Sequence, residues 1–319
     1  MTATTILSIH EVSPRDGLQI EPVFVPTPQK IALIDQLSLT GVTKIEVTSF
    51  TSPKAIPALA DADAVMRGIT RAPGVVYAAL VPNLRGAQRA LAAGADELNI
   101  VMSASESHNL ANLRMKMAES RAQFAEIIAA VDGKVPINAS LSTAFGCPFE
   151  GAVPAGRVIE IVEQFAVMEI SHITLCDTTG MANPAQVKLL FDTVRARWPE
   201  LVVTAHFHDT RGLGLANALA ALQSGVTHFD ASLGGLGGCP FAPGASGNVC
   251  SEDMVHMFEA MGFQTGVDLG RLLAAARQLP DIVGHGVPGQ VIKSGPATRR
   301  YSVPDRASAR PLVAQSNDA

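Results

Sequence analysis

Cysteine is scarce in this chain. There are four in 319 residues, Cys147, Cys176, Cys239 and Cys250, and no two form a Cys-x-x-Cys pair. That spacing excludes a disulfide-stapled scaffold and a thiolate-bound structural zinc. It fits a reducing compartment in which each thiol is free or functional. Charge is sparse as well, 17% of residues with a net charge of −5, which argues against a nucleic-acid or anionic-membrane surface. No uncharged stretch approaches the ~20 apolar residues that a bilayer span needs, so no membrane partner is expected. The opening MTATTILSIH lacks a basic region and a long apolar run, and the closing SNDA is not a peroxisomal address; the expected location is cytoplasmic. No Gly-x-Gly-x-x-Gly fingerprint opens a first helix, and a P-loop is missing. Apolar residues are plentiful, at 47%, enough for the core of one large domain, and an enzyme is the leading class.

The pattern that is present repeats. Eight β-rich runs recur at 6–12, 44–50, 75–81, 97–103, 135–143, 172–178, 202–208 and 228–234. Helical patterns lie between them: Ile31, Ile34 and Leu37 share a face, as do Leu84, Ala87 and Leu91, and Leu215, Leu219 and Leu222. Three of these helices run into a glycine, Gly41, Gly94 or Gly225, placed as a C-terminal cap before the next strand. Strands alternating with helices imply parallel βαβ units, and eight of them imply an α/β fold of the closed (β/α)8 TIM-barrel type. An open doubly wound sheet also alternates, but the polar residues favour the barrel, because they fall at strand C-terminal ends where a barrel gathers its active site. The expected organisation is one catalytic barrel over residues 1–298, with a Gly-rich lid loop at 234–248. A short polar C-terminal extension follows at 299–319, packed loosely or disordered.

In VVTAHFHDTRG, His206 and His208 are two residues apart in a strand and so share a face. Two imidazoles on one face are half of a metal site, or else two hydrogen-bonded histidines. Asp16 follows strand one, a neighbour of strands seven and eight in a barrel, and supplies a carboxylate; Asn248, at the end of the Gly-rich loop, supplies an amide oxygen. Imidazole, carboxylate and amide donors favour Mg²⁺, Mn²⁺ or Co²⁺ over a thiolate-bound zinc. Arg15 at that mouth is a candidate oxyanion stabiliser. Glu46, charged within an apolar strand, needs a partner: it either orients Arg15 or substrate, or forms a structural ion pair. Asp177 ends strand six and Ser49 ends strand two. Cys239, in GGLGGCPFAPGASGN, is either an acid delivered by a closing lid or a small packed side chain. Cys147 reads as structural and Cys176 as core. His10, His108, His172, His228, His256 and His285 have no partners at ligand spacing and read as structural or surface residues.

SPRDGLQIEP, KIEVTSFTSPK, STAFGCPFEG, LCDTTG, AHFHDTRGLGLAN and LGGLGGCPFAPGASGN together resemble the 3-hydroxy-3-methylglutaryl-CoA lyases of the DRE-TIM metallolyases, in register from about residue 6 to 295. The resemblance implies a (β/α)8 barrel that cleaves a 3-hydroxy-3-methyl acyl-CoA by a retro-Claisen reaction with a divalent cation, Mg²⁺ or Mn²⁺. It implies metal ligands at Asp16, His206, His208 and Asn248, enolate stabilisation by Arg15 supported by Glu46, proton transfer involving Cys239, and an activity-bearing carboxylate at Asp177. Asp16 and His206 are both candidates for the base. Gln19, Ser49 and Thr174 are the expected substrate contacts. The partners expected are an acyl-CoA substrate and a second copy in a homodimer, with no nucleic acid.

The chain departs from that family at places that bear on substrate. Ile20, Glu21 and Pro22 replace Asn-Glu-Lys; Ala55 stands where tryptophan is common; residues 108–115 read HNLANLRM; Phe149 and Phe241 replace tyrosines. A lyase for a related substrate such as citramalyl-CoA is therefore an alternative. A Claisen-condensing synthase is disfavoured by the cysteine loop, and a non-catalytic barrel by the presence of every reacting residue.

Overall fold

The computed structural model describes residues 6–238 and 247–301. Eight parallel strands close into a barrel in sequential order. They are β1 (Ser8–Glu11), β2 (Lys44–Ser49), β3 (Val76–Leu80), β4 (Glu97–Ser103), β5 (Ile137–Ser142), β6 (His172–Asp177), β7 (Val202–Phe207) and β8 (His228–Ala231). Closure is made by β1 on β8, with Ser8 opposite His228 and His10 opposite Asp230. The helices between them are α1 (Thr27–Ser38), α2 (Ala62–Gly68), α3 (Leu84–Ala93), α4 (Glu106–Leu113), α5 (Met117–Val131), α6 (Ala155–Val167), α7 (Pro184–Arg197) and α8 (Gly214–Gln223). After β8 come α9 (Ser251–Ala260), α10 (Leu269–Ala276), α11 (Leu279–Val283) and α12 (Val291–Ser294), so helical structure continues well past the eighth strand. No helix among the described residues is long and apolar enough to cross a membrane.

The two faces of each strand differ. One parity carries Ile9, Ile45, Val47, Leu98, Ile100, Leu141, Ile173, Leu175, Phe207 and Phe229, all buried in the apolar layer shared with the helices. The other parity lines the barrel interior and is polar: His10, Lys44, Glu46, Glu97, Asn99, Asn138, Thr174 and Asp230 surround a small internal cavity. Barrel interiors are commonly filled by Val, Ile and Leu. Here the polar filling is satisfied internally. Lys44 Nζ reaches both Glu97 oxygens at 2.6 and 2.8 Å, and Asn138 Nδ2 donates to Asn99 Oδ1 and Thr174 Oγ1, each at 3.0 Å.

Of the three glycines expected as caps only Gly94 is one; α1 and α8 are capped by Leu39 and Ser224. Gly94 caps α3 in the left-handed conformation. Gly41 and Gly225 have φ of 93° and 80° and lie just beyond α1 and α8. At Gly41 a side chain is excluded twice, by φ and because a Cβ would stand 2.1 Å from the Gly266 carbonyl oxygen. Seven of the eight strands are shorter than the sequence pattern suggests, and two of them show why. The eighth was expected over 228–234 and ends at Ala231, because the amides of Leu233 and Gly234 donate to the buried carboxylates of Glu11 and Glu252 instead of to a neighbouring strand. The first ends at Glu11, because the Val12 carbonyl accepts from Arg15, Asp16 and Gly17 and closes a turn.

Candidate metal centre at the barrel mouth

That turn is a single π-helical turn, Ser13–Gly17, and it carries Arg15 and Asp16 from the end of β1 to the centre of the mouth. Such wide turns recur at functional sites because they redirect consecutive side chains. Arg15 and Asp16 interact directly, and the Arg15 Nε donates to Glu46 Oε2 at 2.6 Å. One guanidinium therefore bridges two carboxylates. Glu46 is held in turn by Asn99, whose Nδ2 donates to Oε1 at 2.7 Å; Asn99 accepts from Ser140 at 2.8 Å and from Asn138, which reaches Thr174. A hydrogen-bonded chain thus runs across β2, β4, β5 and β6 to fix Glu46.

Asp16, His206 and His208 form one cluster, buried, with a ligand atom of each within 4.8 Å of the others. The two imidazole rings are 5.2 Å apart between centroids, and His208 Nε2 is 3.8 Å from Asp16 Oδ2. The remaining Asp16 contacts are Gln19 Nε2 on Oδ1 and Asn248 Nδ2 on Oδ2, each at 2.8 Å. Asn248 is placed by a bridge between its own segment and His208 and by donation to the Leu236 carbonyl at 3.0 Å. Its Oδ1 and the Nδ1 of His208 are buried with no hydrogen-bond partner. The orphaned amide oxygen of Asn248, in a four-residue oxygen and nitrogen set, suits a divalent cation, and the absence of thiolate favours a hard or borderline ion.

The electrostatics match. Burial alone would raise the Asp16 carboxyl, but the Arg15 charge and then the two histidines hold it below its usual value. Burial and the charge of His206 push His208 down to about 3, so it is a neutral ligand at physiological pH. His206 moves the other way: the cost of burial is outweighed by Asp230, which accepts from Nδ1 at 3.2 Å, and by Asp16.

Of the residues singled out in the sequence, Arg15, Asp16, Gln19, Glu46, His206, His208 and Asn248 are brought into this one network. Thr174 lies deeper, two residues before the β6 position that pairs with His206, at the far end of the chain that holds Glu46. The Ser49 hydroxyl is engaged with Thr51 at 2.7 Å. Asp177 accepts from the amides of Met181 and Ala182, at 2.7 and 3.1 Å, and burial pushes it up to about 6. Cys239 and Phe241 lie outside the described residues, whereas both ends of their loop, Gly234–Gly238 and Gly247–Asn248, are described and mostly buried. Cys147 and Cys176 are buried, as the sequence suggested.

Two residues at the centre were missed. His10, read from the sequence as a structural or surface residue with no partner at ligand spacing, pairs through Nδ1 with Asp230 Oδ1 at 3.0 Å, and Asp230 was not singled out at all. The signal was available in strand parity: His228 and Asp230 alternate in β8 as Thr204 and His206 do in β7, which puts Asp230 on the interior face.

A parallel eight-stranded barrel with a buried Asp–His–His cluster and a bridging arginine at its C-terminal mouth is the architecture of a metal-dependent carbon–carbon lyase. Comparison with known proteins gives the family. The HMGL-like family model matches residues 6–279, and the chain belongs to that family. It is 49% identical over 292 residues to the hydroxymethylglutaryl-CoA lyase YngG of Bacillus subtilis, covering 90% of this chain and 98% of that protein. It is 42% identical to the (R)-citramalyl-CoA lyase of Chloroflexus aurantiacus, covering 93% and 96%. Among solved structures, an HMG-CoA lyase of A. baumannii, in complex with coenzyme A and 3-methylmalate, superposes with a TM-score of 0.92 at 52% identity, covering 95% of this chain and all of that one.

Proposed function

We propose that the protein cleaves 3-hydroxy-3-methylglutaryl-CoA to acetyl-CoA and acetoacetate. The observation that carries this reading is the meeting of Arg15 with the Asp16–His206–His208 cluster in one buried network at the barrel mouth, in a chain nearly half identical to a protein of that activity over almost its whole length.

Cleavage removes the proton of the tertiary 3-hydroxyl as the C2–C3 bond breaks, and leaves the electron pair on an acetyl-CoA enolate. Asp16, His206, His208 and Asn248 are the residues that would hold a divalent cation, Mg²⁺ or Mn²⁺, whose Lewis acidity lowers the pKa of an alcohol. Asp16 and His206 are the side chains there able to take the proton. The Arg15 guanidinium stays charged between Asp16 and Glu46, and its positive charge stabilises the enolate at the thioester oxygen. Glu46, locked by Asn99, keeps the guanidinium plane from turning. Protonation at C2 falls to an acid on the β8 loop, and Cys239 is the proposed donor.

A second reading, a lyase for citramalyl-CoA or a longer 3-hydroxyacyl-CoA, is favoured by where the departures fall. Ala55 lies in the segment after β2 and residues 108–115 run through α4 directly after β4, both at the end of the barrel where the reacting residues gather. The test is release of acetyl-CoA from hydroxymethylglutaryl-CoA, citramalyl-CoA and a longer analogue, with Mg²⁺ or Mn²⁺ and after chelation. The first substrate is expected to give by far the highest kcat/KM, abolished by chelation. Preference for another acyl-CoA moves the assignment to the second reading, and no cleavage with any metal defeats both.

A further inference from the structure

Asp230 is flanked by two histidines and is mostly, though not fully, buried. It pairs in register with His206 on one neighbouring strand and with His10 on the other. Each carboxylate oxygen faces one ring: Oδ2 is 3.2 Å from His206 Nδ1, and Oδ1 is 3.0 Å from His10 Nδ1. Each oxygen faces a ring nitrogen and neither faces another acid, so the carboxyl is in the ionised form that a carboxylate ordinarily takes at neutral pH. An ionised carboxylate only accepts. Both Nδ1 atoms must therefore carry hydrogen, and the nitrogen that His206 turns toward Asp16 and His208 is Nε2.

We propose that Asp230 is a positioning residue for the metal centre: it fixes the tautomer and the ring plane of His206, and His10 holds its second oxygen so that the carboxylate cannot rotate away. The two metal-site histidines are then supported unequally. His206 is anchored and made more basic by a carboxylate, whereas the Nδ1 of His208 is buried without a partner. His10 acts at one remove, through Asp230 alone, since the pairing of His10 with His228 is a ring contact at 5.7 Å with no hydrogen bond between them. Among the described residues Asp230 makes no hydrogen bond to Arg15, Glu46 or Asn248, although its charge acts on Arg15 and Glu46, so metal affinity rather than turnover is the readout that isolates its role.

This inference rests on the metal-centre reading, and the experiment tells the two apart. Mn²⁺ binding is titrated by electron paramagnetic resonance for the wild type, Asp230→Ala, Asp230→Asn and His10→Val. Asp230→Ala should weaken Mn²⁺ by about 10–100-fold, the range typical for loss of a carboxylate behind a metal-bound histidine. Asp230→Asn, which keeps one accepting oxygen, should lose less, and His10→Val only a few-fold. In parallel, the metal-free wild type is labelled with ¹⁵N-histidine, and the His206 ring signals are assigned by their loss in His206→Gln. At alkaline pH, where the ring is neutral, His206 should be the Nδ1–H tautomer in the wild type and shift toward Nε2–H in Asp230→Ala. Failure of the wild type to bind Mn²⁺ defeats the metal reading and this inference together. Wild-type binding with an unchanged affinity in a folded Asp230→Ala defeats the inference alone. If that variant does not fold, an Nε2–H tautomer in the wild type overturns it.

Discussion

Arg15 organises the mouth. Its guanidinium spans Asp16 and Glu46, so two carboxylates that would otherwise repel share one buried cation. A lysine is a point charge on a flexible stem and reaches one of them at a time. Arg15→Lys is expected to lower kcat about 10²–10³-fold, the usual scale for removing one oxyanion-stabilising donor, while Mn²⁺ affinity changes little because no metal-site residue is lost. Steady-state kinetics beside a Mn²⁺ titration checks both halves; an equal loss of kcat and of metal affinity would place Arg15 with the metal rather than with the enolate. Asp177 shows the opposite arrangement. Both its oxygens are occupied by backbone amides of the turn that follows β6, which makes it the organiser of that turn as well as a mouth carboxylate.

The loop after β8 is anchored at its base by two buried acids. Glu11 on β1 accepts from the amides of Ser13 and Leu233 at 2.8 and 2.9 Å and from the Ser251 hydroxyl at 2.6 Å, tying three segments to one carboxylate. Glu252, in the first turn of α9, accepts from the Gly234 amide at 3.0 Å. At the other end, Gly247 has φ of 98° and packs so closely that a Cβ would stand 2.2 Å from the Gly235 carbonyl oxygen. Burial raises Glu252 to about 7 from an ordinary 4.5. Its folded pKa is above its unfolded one, so between those values the folded state binds the extra proton. Stability must then fall as pH rises through that window, and the full penalty is present above it. The effect is on the order of 3 kcal/mol. Denaturant unfolding of wild type and Glu252→Gln near the two ends of the window is expected to show that slope in the wild type and its reduction in the variant. Equal slopes would mean that Glu252 is ionised in the folded state throughout.

At the scale of the whole molecule, the metal centre joins three parts of the barrel: the turn after β1, the end of β7 and the far side of the β8 loop. A cation bound there links residues 16 and 248, almost the full length of the barrel sequence, and binds the folded state in preference to the unfolded chain. Mn²⁺ at about a hundredfold above its Kd should add about 2.7 kcal/mol. The observable is a rise of several degrees in Tm, reversed by chelation and missing in Asp16→Asn. An identical rise in that variant would locate the ion elsewhere.

Much of this was legible in the chain itself. Eight β-rich runs, each followed by a helical pattern, imply the barrel because βαβ units have one sterically favoured hand and close when eight are joined. Histidines two apart on a strand must share a face, and residues at strand C-terminal ends must share a mouth. Those local rules place Arg15, Asp16, His206, His208 and Asn248 together before any coordinates are known. What the sequence did not disclose depends on which side chains meet across strands that are far apart in the chain. Asp230 is an unremarked aspartate in HFDASLG until closure sets β8 between β1 and β7 and puts His10 and His206 on its two oxygens. The end of β8 was likewise misjudged, because the carboxylates that capture its next amides come from Glu11 and Glu252, one of them more than two hundred residues away. Periodicity fixes which face a residue occupies. Only the closed barrel decides which partner it finds there, because hydrogen bonds reach about 3 Å and the sequence carries no distances.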